Sequence, residues 1–202
     1  MAKKSPNKAT LEDLLYQALE TEQGGIKVYE AAISCAVNED LREEWQEYLE
    51  ETRTHERVLL GVLETFGLDP EARPPSRDIV GGIGEALVAS MKKAKSTLRP
   101  EQAELVACEA VVLAETKDHS NWELLAHVVE KGSHEHHKVL KAAVEAVEGD
   151  EDHHLYHTKG WCRESWIQAL GFPAVLPPPE EVKQVETAIG ASRAEQSRDE
   201  ML

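Results

Sequence analysis

The sequence predicts an all-α fold: four long helices arranged as two antiparallel hairpins, joined by a long crossover that carries a helix of its own. Three observations lead there. No proline falls between Pro6 and Pro70, and none between Pro100 and Pro173. Alanine, glutamate, leucine and lysine dominate both spans, and no β-branched alternation interrupts them. Apolar residues recur every three or four positions, as the buried stripe of a helix requires. At 202 residues the chain suits one domain.

The first helix carries the stripe Leu11, Leu15, Ala18, Tyr29, Ala32 and Ala36, and the stretch VNED at 37–40 supplies a turn and restart. The second continues through Leu41, Trp45, Tyr48, Leu59, Val62 and Phe66 and stops at Gly67, a residue suited to the left-handed conformation that ends helices. A turn-rich connection, GLDPEARPPSRD, leads to the crossover helix, whose stripe is Ile79, Ile83, Leu87, Met91 and Ala94. Gly132 closes a helix near 101–131, and Ser133 caps another near 133–170. Residues 1–8 form a flexible N-terminus, 9–171 the bundle and 172–202 a proline-rich tail with a short helix. Gly24 and Gly25, costly in a helix interior, make room for a close neighbour.

A formal charge of −16 repels nucleic acid and anionic lipid. No stretch approaches the ~20 apolar residues of a membrane span, and no signal-peptide core follows the N-terminal lysines, so a cytoplasmic location is expected. Cys35, Cys108 and Cys162 form no C-x-x-C pair and are expected to be small hydrophobes.

Each of the four core stripes turns polar near mid-length: Glu22 in the first, Thr52 and His55 in the second, Glu115 and His119 in the third, Glu151 and His154 in the fourth. Glu22 and His55 are equidistant from the turn at 37–40, and Glu115 and Glu151 from the break at Gly132, so each pair shares a height in its hairpin. Carboxylates buried alone cost several kcal/mol per ion, and a metal pair is the simplest compensation.

The stretch ALETEQGGIKVYEAAISCAVNEDLREEWQEYLEETRTHERVL resembles the first hairpin of ferritin-like, rubrerythrin-related proteins: Glu22, Tyr29 seven residues on and His55 thirty-three residues on. The second half is similar in kind, with Glu115 on one helix and a Glu-x-x-His pair, Glu151 and His154, on the next. The resemblance spans roughly residues 10–160 and implies a ferritin-like four-helix bundle with a dimetal carboxylate site. The implied metal is iron, two ions, with manganese or zinc as alternatives. The implied reaction is a ferroxidase- or peroxidase-type reduction of O2 or hydrogen peroxide, with electrons from a separate donor because no rubredoxin-like cysteine set is present. A homodimer or higher homo-oligomer is expected.

One position departs from the pattern. Thr52 stands where the family places the glutamate three residues before His55. Glu51, which shares a helix face with His55, and His119, one turn beyond Glu115, are the candidates for the vacant coordination position. The ligand-poor side near Thr52 and His55 is the expected way in for an oxidant. Tyr29 is either a core aromatic or a donor of a hydrogen bond or an electron to the site. His134, His136 and His137 are expected exposed at the start of the fourth core helix, and His153 and His157 off the His154 seam. Asp150, Asp152 and His153 are expected to be solvated or to support the ligands from outside. The rival readings are a structural bundle with a degraded or single-metal site and an iron-storage subunit, whose acidity would favour cation uptake.

Overall fold

A computed structural model describes residues 4–202. Seven helices follow in order: α1 (Lys8–Ile33), α2 (Glu39–Phe66), α3 (Pro75–Thr97), α4 (Pro100–Lys131), α5 (His137–Ala169), α6 (Pro179–Val182) and α7 (Ala188–Gln196). A 3-10 turn, Arg198–Glu200, ends the chain, and no strand occurs among the described residues. Among the described residues no helix is long and apolar enough to cross a membrane.

Local chemistry sets most helix ends. The Asn7 side chain accepts from the Thr10 amide at 3.0 Å and Asn38 from the Leu41 amide at 3.1 Å, each satisfying a donor the helix leaves free. Gly67 ends α2 at φ 68, where a side chain would be strained.

Partners advance in opposite directions along α1 and α2: Arg53 bonds Glu30, Gln23 bonds Glu56, and Tyr16 reaches Asp69 beyond the end of α2. The two helices are therefore antiparallel. The same holds for α4 and α5, where Glu115 meets His154 and His119 meets Asp152. α1 also packs against α4, and α2 against α5, which brings the four long helices around one interior. That interior has two apolar clusters. One gathers Tyr29, Trp45, Met91, Val111 and Trp161; the other gathers Leu15, Leu59, Trp122, Leu125 and Leu140. The polar layer lies between them.

The crossover helix buries the C-terminal part of its expected stripe, with Leu87, Met91 and Ala94 against the core, but not its N-terminal part. Ile79 and Ile83 are exposed, while Arg77, Val80, Met91 and Ala94 are buried. Glycines decide this, because α3 lies too close to α1 for large side chains: a Cβ on Gly84 would sit 3.6 Å from Gly24 Cα, and one on Gly81 2.6 Å from Glu20 Oε1. Gly25 has the matching role toward α2, where its Cβ would meet Thr52 Cγ2 at 3.3 Å. Arg77 clamps the start of α3 by donating to Glu20 at 2.7 Å, Gln23 at 3.0 Å and the Ala72 carbonyl at 2.9 Å.

The α4–α5 connection is longer than expected. α5 starts at His137 instead of Ser133, and Gly132 ends α4 in an extended conformation at φ −88. His134 and His136 are half-buried, not exposed, with rings 5.7 and 4.6 Å from that of Phe66. The tail lies over α5. Arg163 grips Glu180 with two bonds of 2.7 and 2.8 Å, and Arg198 grips the fully buried Glu164 with two of 2.9 and 3.0 Å.

Candidate metal centre

Six ionisable side chains meet where the apolar clusters divide. Glu22 comes from α1, His55 from α2, Glu115 and Asp118 from α4, and Glu151 and His154 from α5; each is 0–4% exposed. His55 Nδ1 lies 3.0 Å from Glu151 Oε1 and 3.8 Å from Glu22 Oε2, and His154 Nδ1 lies 3.5 Å from Glu115 Oε2. Tyr29 donates to Glu115 Oε1 at 2.8 Å, and Trp122 donates to Glu22 Oε1 at 2.8 Å.

Two sets of donor atoms are each gathered within 4.8 Å: His55, Glu151 and His154, and Glu22, Asp118 and Glu151. Glu151 belongs to both. The first set offers two imidazoles and a carboxylate, the second three carboxylates, and such mixtures suit divalent ions of borderline to hard character. Glu22 Oε2, Glu115 Oε2, Asp118 Oδ1 and Glu151 Oε2 are buried without a hydrogen-bond partner. Such atoms cost free energy unless something meets them, and cations at the two donor sets would meet those of Glu22, Asp118 and Glu151.

The outer side of each imidazole is held as metal-binding histidines usually are. His55 Nε2 lies 3.1 Å from Asp150 Oδ2, and His154 Nε2 lies 2.8 Å from Glu51 Oε2. A carboxylate can only accept there, so each Nε2 carries hydrogen and each Nδ1 is turned toward the buried oxygens.

Without a cation, protons supply the compensation. Burial first, then the charges of Asp118 and Glu151, pushes the Glu22 carboxyl well above the carboxylate range. Burial, with Glu151 and Glu115 behind it, does the same to Asp118, and burial raises Glu151 against the opposing pull of His55. For the histidines burial acts downward but is outweighed: Asp150 and Glu151 raise His55, and Glu115 and Glu51 raise His154 well above the imidazole range. Protons thus occupy atoms a metal would take, and the two compete.

No protein-family model, curated protein or solved structure matches this chain. The centre therefore rests on its own geometry.

That geometry places the sequence candidates unequally. Glu22, His55, Glu115, Glu151 and His154 converge, and Tyr29 touches the cluster through Glu115. Glu51 does reach inward, but to the outer nitrogen of His154. Thr52 is buried with its hydroxyl bonded to the Tyr48 carbonyl at 2.7 Å, while the partly exposed Asp150 and Glu51 stand on the outer side of His55 and His154. His119 is turned to the α5 flank, its Nε2 2.9 Å from Asp152 and its Nδ1 3.7 Å from Glu123. Asp118 is the residue the sequence reading missed. The stripe Cys108, Val112, Glu115, His119, Trp122 and the buried series Cys108, Val111, Glu115, Asp118, Trp122, Leu125 share every second member. α4 buries the second because it packs against α1 and α3 as well as α5. The available signal was Glu115-x-x-Asp118, which repeats the spacing of Glu151-x-x-His154.

A separate polar cluster ties the tail to the bundle. His157 Nδ1 lies 2.7 Å from Glu181 Oε2 and 3.7 Å from Glu44 Oε1, and Nε2 donates to the Val185 carbonyl at 3.1 Å. Burial lowers the His157 pKa, but Glu181 and Glu44 carry it up to about 9. Burial raises Glu181, but His157 brings it down to about 2. This is an ion pair between α5 and α6.

Proposed function

We propose that this chain is a ferritin-like metalloprotein that holds two iron ions at the Glu/His cluster and uses them to reduce O2 or hydrogen peroxide. The observation that carries the metal reading is the pair of imidazoles, His55 and His154, each fixed from outside by a carboxylate with its other nitrogen turned toward buried carboxylate oxygens. The sequence resemblance and the hairpin pairing support the family and the iron. Glu151, shared by both donor sets, suits a bridging position.

Two ferrous ions bound together would supply the two electrons that reduce peroxide without releasing a radical. The chain's own part is positional. Glu22 and Glu115 are oriented by Trp122 and Tyr29, whose donated bonds leave the other carboxylate oxygen free to ligate. Asp150 and Glu51 set the imidazole tautomers. The Tyr29 proton is firmly held: burial, then the Glu115 charge, pushes its pKa well above the usual tyrosine value. Tyr29 therefore acts as a hydrogen-bond donor to Glu115, not as a base. Apolar clusters lie above and below the layer.

Elemental analysis of protein purified without chelator should give about two iron ions per chain, a stoichiometry from the donor sets. Anaerobic ferrous protein mixed with peroxide should change its near-ultraviolet absorption, and Glu22→Ala should abolish that change. Metal content unaltered in both Glu151→Ala and His154→Ala would remove the site. Oxidation no faster than in buffer would leave a metal-binding bundle without the enzyme.

A further inference from the structure

We propose that the cavity between α4, α5 and the start of α7 is the route by which the divalent cation reaches the central cluster. The inference rests on the metal reading above and adds the path. The cavity encloses about 190 Å³. Glu151 and Trp122 line its inner wall. Glu151, whose Oε2 is buried without a hydrogen-bond partner, is one of the residues around the cavity, so a residue of the cluster forms part of the cavity wall. Trp122 is bonded to Glu22, so the same wall adjoins the all-carboxylate donor set.

The outer wall has one sign of charge. Glu123, Glu148, Asp152 and Glu186 line it, and no lysine or arginine does. Glu123, Glu148 and Glu186 are exposed, while Asp152 is half-buried between them and Glu151. An arriving ion therefore meets exposed carboxylates first, then the half-buried Asp152 with His119 at 2.9 Å, then the wall formed by the buried Glu151. Each exchange replaces water by oxygen or imidazole nitrogen, the ligands a divalent cation accepts in turn. Thr52 presents an arriving ion only with a hydroxyl already bonded to the Tyr48 carbonyl and a methyl that fills the space left by Gly25. The cavities beside Phe66 and Leu124 include none of the cluster's side chains.

A charged mouth raises the local cation concentration and hence the on-rate, and salt removes the effect. The full-length chain, stripped of metal, is mixed with Co2+ in a stopped-flow instrument and followed by its visible absorption. The double variant Glu148→Gln/Glu186→Gln removes two mouth charges and leaves every cluster residue intact. Loading should slow about tenfold at low ionic strength. The difference should close in 0.5 M KCl, and the final Co2+ content should match the parent. A control, Glu85→Gln/Glu101→Gln, changes the net charge equally at exposed positions outside the cavity and should load like the parent. Equal rates for parent and mouth variant at equal final content would overturn the route and leave the metal reading standing. Equal slowing in the control, or slowing that persists in high salt, would also overturn it. No Co2+ uptake by the parent would overturn the metal reading, and the route with it.

Discussion

The two histidines at the centre show how much one hydrogen bond decides. An imidazole can present either nitrogen, and only the carboxylates on the far side, Asp150 for His55 and Glu51 for His154, turn Nδ1 inward. Glu51→Gln should therefore leave metal bound but weaken it about 10–100-fold, as loss of an outer partner typically does. Competition against a chelating dye would measure this, and loss of a full equivalent would show that Glu51 ligates directly. Asp118 and His119 offer the sharper contrast, since they are neighbours in sequence and diverge in space. Asp118→Asn should reduce metal content, while His119→Ala should leave equilibrium content unchanged; elemental analysis of the two variants separates the buried residue from the flank residue.

At the scale of elements, the tail is held by charge and by one missing side chain. Gly160 on α5 faces α6 so closely that a Cβ would lie 2.5 Å from Glu180 Oε2 and 2.9 Å from Pro178 Cβ. Gly160→Ala should therefore displace α6 and destabilise the fold by about 1–3 kcal/mol. Protease cleavage within residues 172–202 should quicken, and an unchanged cleavage rate would mean the tail can shift without strain. The His157–Glu181 pair adds a pH dependence. A histidine whose folded pKa is raised from 6.5 to about 9 stabilises fully below 6.5 and loses its contribution as pH climbs through 9. Glu181, lowered from 4.5 to about 2, contributes above 4.5 and is lost as pH falls through 2. The attachment of α6 should be strongest between about pH 4.5 and 6.5 and weaken steadily to pH 9. Hydrogen exchange of the α6 amides should follow that course in the parent. In His157→Gln the alkaline weakening should vanish.

For the whole molecule, a polar layer between two apolar clusters makes stability depend on what fills the layer. A ligand that binds only the folded chain stabilises it by about 2.7 kcal/mol at a hundredfold excess over Kd. For a chain of this size that raises the thermal midpoint by about 5–10 °C. Coincident melting curves with and without metal would mean that protons compensate the layer as well as a cation does. The same layer marks how far the sequence alone reached. It determined the four long helices and their pairing, because proline-free spans, the turn and restart at 37–40 and the stop at Gly67 are local signals. It determined five converging residues, because equal distance from a turn sets equal height in a hairpin. Tertiary structure decided the rest, because each remaining answer depends on which surface a neighbour covers. The glycines of α3 turned Ile79 and Ile83 outward, contact with α1 and α3 rotated α4 to bury Asp118 in place of His119, and α6 supplied His157, already off the His154 seam, with Glu181 as a partner. Helical periodicity fixes which residues share a face, but where two faces are equally apolar only packing selects the one that is buried.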